Sequence, residues 1–167
     1  MPRYPAELRT GRLRLTRTSR ADRDALVALD LDPSQHPFST PPTPRQARAA
    51  VRGHRIHWWR HGFGCWTVRT RDGGPVVGLG GLTLASDGTR HLLNLGYRLH
   101  PAVRGLGLAT ELSRRALEHA AAAGPGLPIV VLTHPSNEPA ARIAERLGFA
   151  PDHPEHGRVL CYRLSPT

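Results

Sequence analysis

Apolar and polar residues alternate along Arg12–Thr18 ("RLRLTRT"), the period of a half-buried strand. The period then lengthens to that of a helix. Ser19 stands as an N-cap before a helix over about Ala21–Leu29, with Leu26 and Leu29 on its inner face. "DPSQHPFSTPPTP" (Asp32–Pro44) has no period and is rich in proline, so it reads as a loop over a site or a plain surface crossing. A helix is predicted over Arg45–Arg60. Strands follow in "FGCWTVRT", in "VVGLGGLTL" and over His91–Leu99, separated by turns at "RDGGP" and "ASDGTR". A long helix is predicted over Gly107–Ala123. "IVVLT" is short and wholly apolar, the mark of a buried strand. A last helix over Pro139–Leu147 stops at Gly148, and "GRVLCYRL" ends the pattern as a strand. Strands that begin as a meander and then alternate with helices predict an α/β fold with a mixed sheet and helices on both faces.

A chain of 167 residues fits one domain, 1–167, with a full core. Cys65 and Cys161 show neither CxxC nor clustered spacing, so they read as reduced thiols in a reducing, cytoplasmic compartment. The N-terminal stretch lacks an apolar signal core, and no apolar run approaches the ~18 residues of a membrane span, so no membrane partner is expected. Net charge is +10, and all 23 basic residues are arginine. The excess favours an anionic ligand. Abundant Ala, Gly, Pro and Arg together resemble GC-rich codon use, which weakens the inference from charge. Aromatics are 5% and the arginines are spread along the chain, which argues against nucleic acid. The absence of lysine excludes a Walker A loop, a PLP Schiff base and the strand lysine of protein kinases.

In "LNLGYRLHPAVRGLGLATE" a strand runs into a glycine turn and then a helix. The first turn of a helix has unpaired N–H groups and partial positive charge, so it attracts anions. Gly105 and Gly107 have no Cβ to keep phosphate oxygens away, and Arg104 adds a charged donor. A plain tight turn is the alternative. A dinucleotide fingerprint fits poorly, because Thr110 stands where its third glycine belongs.

Arg104-Gly105-Leu106-Gly107-Leu108-Ala109 resembles the Q/R-x-x-G-x-G/A segment of the GNAT N-acetyltransferases. "GYRLHPAVRGLGLATE", "HPSNEPAARIAERLGF", "TGRLRLTRTSRADRDAL" and "HGFGCWTVRTRDGGPVVGLGGL" are similar to the RimJ/RimL-like branch, the ribosomal-protein N-terminal acetyltransferases. The resemblance covers nearly the whole chain. It implies a GNAT-like, mostly antiparallel twisted sheet of about six to seven strands flanked by about four helices. It also implies acetyl-CoA as cofactor, leaving as CoA. The backbone amides of Arg104, Gly105, Leu106, Gly107, Leu108, Ala109 and Thr110 would hold its pyrophosphate. The strand edge at Leu99 and His100 would pair with the pantetheine amides, and Asn137 would bond the pantetheine arm. Asn137 equally fits a cap for the helix at Pro139.

Three positions depart from the family pattern. Asn94 stands where many GNAT enzymes carry a glutamate base, and an amide takes no proton at neutral pH. Ala144 occupies the place of a tyrosine acid, and Ala140 that of a serine. Histidine is the natural substitute base. His134, between the buried strand and Asn137, is the first candidate, and His36 in the proline-rich loop the second. Ser136 could donate to the departing sulfur. His54, His57 and His61 share a helix face, but with no HExxH and no nearby cysteine they read as a solvated face, and no metal is expected. Trp58 and Trp59 read as packing, with one in the core. Tyr97 falls in the packing series of Leu93, Leu95 and Leu99, and Tyr162 is a distant acid candidate.

An α-amine of pKa about 7.8 is roughly one-third neutral at pH ~7.5, against ~0.1% for a lysine amine, a gap of about 3 kcal/mol. A site without a strong base therefore favours a low-pKa amine. The function read from the sequence is acetyl transfer to such an amine, a peptide or protein N-terminus or a weakly basic small molecule, by direct attack in a ternary complex. An acetyl-CoA-binding module without turnover and an Arg-rich ribosome- or RNA-associated protein are the alternatives. Expected partners are acetyl-CoA and the amine acceptor, with a ribosomal protein and a second copy of the chain as candidates.

Overall fold

Eight strands form one sheet among the described residues, one or two more than the expected count. The structure is a computed structural model that describes residues 4–152 and 159–164. In chain order the elements are β1 (Glu7–Arg9), β2 (Leu13–Arg17), α1 (Arg23–Leu31), α2 (Pro44–His61), β3 (Cys65–Thr70) and β4 (Val76–Ser86). Then come β5 (His91–Leu99), α3 (Leu108–Ala123), β6 (Ile129–Thr133), α4 (Glu138–Arg146), β7 (Phe149–Asp152) and β8 (Leu160–Leu164). The sheet order is β1-β2-β3-β4-β5-β6-β8-β7, and only β5–β6 is parallel. β1 and β7 went unpredicted because three- and four-residue strands carry too few alternations, and β7 includes Pro151 on an edge. Gly157 and Arg158 of the expected last strand lie outside the described residues.

Two helix starts differ from expectation or sharpen it. Ser19 is not the cap of α1. The N-cap is Asp22, whose carboxylate instead accepts from Ser19 N–H and Oγ–H at 2.7 and 2.9 Å and pairs with Arg69 on β3 at 2.5 Å. Burial pushes the Asp22 carboxyl up in pKa, but the bonds from Arg69 and Ser19 outweigh it and hold it below the usual range. α2 starts on a capping box in which Thr43 and Gln46 satisfy each other's backbone, with Pro44 at the first position. It ends at Gly62, whose φ of 74° is the left-handed conformation glycine tolerates.

Leu79 and Gly80 show how the sheet is covered on both faces, since neighbours on a strand point to opposite sides. Leu79 packs with Leu26, Leu29, Ala47 and Val51 of α1 and α2. Gly80 faces α3: a Cβ there would stand 2.5 Å from Leu112, so only glycine lets the helix lie this close. Leu112 is fully buried with Leu93, Leu95 and Trp66 in the main core, and truncation of such a leucine to alanine typically costs about 2–5 kcal/mol. Trp58 is buried and Trp59 is 77% exposed, so the tryptophan pair divides between core and surface.

His57 ties α2 to the sheet. Its Nδ1–H donates to Phe63 O at 2.8 Å, and its Nε2 accepts from Leu84 N–H at 2.9 Å. That geometry requires the neutral ring and leaves neither nitrogen for a metal. Burial lowers the His57 pKa, the bond to Phe63 opposes this, and the nearby His61 lowers it further. The unfolded chain protonates this imidazole near pH ~6.5, and the folded chain resists until lower pH. Its stability contribution is therefore present above pH ~6.5 and is lost as pH falls through the folded value. The urea midpoint is expected to fall between pH ~7.5 and ~5.5, and to fall less in His57→Gln; equal falls would show that His57 is not the coupling group.

Candidate active site

β5 and β6 run together briefly and then part. β5 pairs with β4 along nine residues but with β6 only at Leu93 and Asn94. Leu93 N–H donates to Pro128 O beside β6, whereas His100 N–H donates to Val77 O on the opposite side. The alternation between them turns the N–H and C=O groups of Leu95 and Tyr97 into the gap that β6 has left. Asn94 stands at the fork. Its Oδ1 accepts from Leu132 N–H at 3.2 Å, bridging the two strands where the ladder ends. Further along, Leu99 O accepts from Gln35 Nε2 at 3.0 Å and from Arg104 Nε at 3.3 Å. His100 caps the short turn Pro101–Val103 through Nδ1. Leu99 and His100 thus have protein partners, and the edge at Leu95 and Tyr97 has no strand partner among the described residues.

The fork opens toward the glycine turn. Gly105 and Gly107 adopt φ of 76° and 75°, and Gly107 is the N-cap of α3 with no side-chain cap. The N–H groups of Leu108, Ala109 and Thr110 therefore begin the helix without an internal partner. Space around Gly105 is open, and a Cβ on Gly107 would lie 3.6 Å from the Arg12 guanidinium. Arg12, which the sequence pattern places only on a strand, props the turn: it donates to Leu106 O at 2.7 Å and to the Glu111 carboxylate through Nε and N–H at 2.7 and 2.8 Å. Burial pushes the Glu111 carboxyl up, but the bonds from Thr10 and Arg12 win and hold it below its ordinary range. Nothing in the sequence links positions a hundred residues apart.

The β6–α4 loop forms the other wall. Asn137 caps α4, its Oδ1 accepting from Ala140 N–H at 3.3 Å, which leaves its amide N–H groups to donate elsewhere. His134 Nδ1 accepts from Ser136 N–H at 3.1 Å, so the ring's basic nitrogen is engaged. The His134 ring stacks on Phe38 with centroids 4.7 Å apart and planes within 2°. Phe38, Gln35 and Ser34 fasten the proline-rich loop to His134, Leu99 and Arg104, so that loop lies across the mouth of the fork. Ala144 is buried in the main core, and Tyr162 is buried there too, on β8.

A cavity of about 370 Å³ lies between the sheet and α1–α2, and Asp30, His54, Thr83, Asn94, Gly96 and Arg98 help line it. Asp30, the one carboxylate among the described lining residues, is paired with Arg98. His36 Nε2–H donates to Asp30 O at 2.7 Å, and this nitrogen also lies 3.7 Å from the Asp30 carboxylate. The His54 ring has no hydrogen bond among the described residues. Burial lowers its pKa first and His57 second, so it is neutral at pH 7. Cys65 borders the cavity as an inert thiol, since burial pushes it up to about 12.

A family model described as an acetyltransferase (GNAT) domain matches residues 12–150. The chain belongs to the GNAT acetyltransferase family. An acetyltransferase from Agrobacterium tumefaciens str. C58 superposes with TM-score 0.86 at 23% identity, over 98% of this chain and 96% of that one. RimL, a ribosomal L7/L12 alpha-N-protein acetyltransferase solved with coenzyme A, gives 0.73 at 17% identity, over 95% of each chain. A Salmonella typhimurium acetyl transferase that modifies the N-terminal serine of 50S ribosomal subunit protein L7/L12 gives 0.69 at 17% identity, over 92% of this chain and 95% of that one. These likenesses show a shared fold.

As a GNAT enzyme the chain is an acyltransferase with acetyl-CoA as its cofactor. The residues present suit that molecule. Uncapped N–H groups and the Arg12 guanidinium stand at an open glycine turn, which matches a pyrophosphate. The unpaired strand edge at Leu95 and Tyr97 and the donor amide of Asn137 match a chain of amides. No helix of the described residues is long and apolar enough to cross a membrane.

Proposed function

We propose that this GNAT enzyme acetylates a low-pKa amine, a peptide or protein N-terminus above all, by direct attack in a ternary complex, and that His54 receives the proton. One observation carries the reading: His54 and Asn94 line one cavity at the fork, where the only carboxylate among the described lining residues is already held by Arg98. Acetyl-CoA, when bound, supplies a thioester carbonyl. The amine nitrogen would bond to that carbon as the carbon–sulfur bond breaks and CoA leaves as thiolate, and the amine proton would pass to the His54 imidazole. An acetylated cysteine is an unattractive relay, because a Cys65 thiol with pKa of about 12 yields almost no thiolate. Asn94 spends its oxygen on Leu132 and keeps its amide N–H groups beside Gly96 to orient the acceptor. Ser136, by its place in the β6–α4 loop, is the candidate donor to the departing sulfur. The RimL-type neighbours, which act on protein N-termini, support the same acceptor class. Two unpaired thiols favour a cytoplasmic setting.

Thiol release measured over N-terminal peptides, polyamines, aminoglycosides and arylamines tests this. Peptides with free α-amines should give the highest kcat/KM, and His54→Gln should lower it while acetyl-CoA affinity holds. Release only with polyamines would sink the acceptor class, and an unaffected His54→Gln would remove the base.

A further inference from the structure

Arginines that look scattered in the sequence share one face of the fold. α2 carries Arg45, Arg48, Arg52 and Arg55 at steps of three and four, one stripe along the helix. α2 also contains no Asp or Glu to pair with them. Arg20, just before α1, lies beside the stripe. These five line two adjoining grooves of about 660 and 580 Å³, which share Arg20, Arg52 and Arg55. None of the five has a salt bridge among the described residues, whereas ten other arginines do. At the end of the second groove Trp59 is 77% exposed, with Ile56 43% exposed beside it. The face lies outside the acceptor cavity, which takes Ala50, Val51 and His54 from the inner side of the same helix.

Asp24 lies near enough to attract Arg48 but is itself paired with Arg23, so the row of cations keeps a large excess of positive charge, which calls for a polyanion. The exposed indole narrows the choice. A base stacks on an aromatic ring only when its face is free, so the combination suits a single strand rather than a duplex. An acidic peptide has no use for the ring, and a membrane would want more than two exposed apolar residues on the helix. From Arg45 to Arg55 the stripe runs about 15 Å, and Trp59 adds about 6 Å. We propose that the outer face of α2, with Arg20, binds a single-stranded nucleic acid, its phosphates on Arg20, Arg45, Arg48, Arg52 and Arg55 and a base on Trp59. The reading is independent of the acetyl acceptor and survives its failure.

The test is fluorescence anisotropy of the full chain with labelled RNA and DNA single strands of about 12 nucleotides, of one sequence, across salt. Five neutralised phosphates predict a slope of log K against log salt of about −3.5. Arg48→Gln with Arg52→Gln should make the slope shallower by about 1.4. Trp59→Ala should weaken binding by about fivefold to a hundredfold, and Trp59→Phe should restore part of it. Thiol release with a small amine should be unchanged in these variants, which shows that they are folded. A preference for RNA over DNA, or equal binding, supports the proposal alike. No binding at low salt, a Trp59→Ala variant of parental affinity, or tighter binding to polyglutamate or anionic vesicles would overturn it.

Discussion

Gly107→Val is expected to weaken acetyl-CoA binding at least about a hundredfold, or roughly 2.7 kcal/mol, in a protein that remains folded. Gly107 holds φ at 75° and hands the chain directly into α3. A β-branched residue in that region is a strong outlier and costs about 1–3 kcal/mol or more. Two responses are open to the chain. If φ rotates away, the N–H groups of Leu108, Ala109 and Thr110 no longer converge. If φ is kept, the new methyls stand over those groups and beside Arg12, whose guanidinium is 3.6 Å from the Cβ position. Either response removes the anion cradle. Gly88→Val is the control: its φ of 92° imposes comparable strain, but it sits in the β4–β5 turn with open space around it. Calorimetric titration of both variants decides the matter. Parental affinity in folded Gly107→Val would take the turn out of the cofactor site, and an equal loss in Gly88→Val would assign the effect to general destabilisation.

Near pH 7 an acceptor with an α-amine should outpace a lysine-like acceptor of matched shape by up to about 3 kcal/mol in kcat/KM, and the gap should close as pH rises toward ~9. The reason is the weakness of the available base. Asp30 is held by Arg98, Asn94 takes no proton, and burial lowers the His54 pKa below the ordinary imidazole value. Cys65, Tyr97 and Arg98 also border His54's cavity, and burial holds the first two as neutral acids at pH 7. A base of low pKa works on amines that are already largely neutral. Below the amine's own ionisation, the acid limb of the kcat/KM profile should steepen through a second group, His54, and that extra step should vanish in His54→Gln. Asn94→Ala should keep the limb and lower the rate. A preference for the high-pKa amine at pH ~7, lost in His134→Ala or His36→Ala, would move the base to that histidine.

The order and type of the long elements could be read directly from the chain. Alternation and helical period are local properties, so Arg12–Thr18, His91–Leu99 and the long helix after the glycine turn announced themselves. So did the anion-binding potential of Gly105 and Gly107, because a glycine turn feeding a helix is contiguous in sequence. Asn94 could be recognised as a non-base from its chemistry alone. The tertiary structure decided which groups meet. Arg12 and Glu111 prop the turn from ends of the chain that no period connects. His134 became less suitable as a base because Ser136 N–H takes its lone pair, while His54, set aside as a surface residue, faces Asn94's cavity. Four of the arginines read as dispersed share one stripe of α2, and Arg20 joins them only when α1 and α2 lie side by side. Periodicity reports which way a side chain points relative to its own element, and a site depends on how several elements are set against one another, which is fixed by long-range packing rather than by neighbours in sequence.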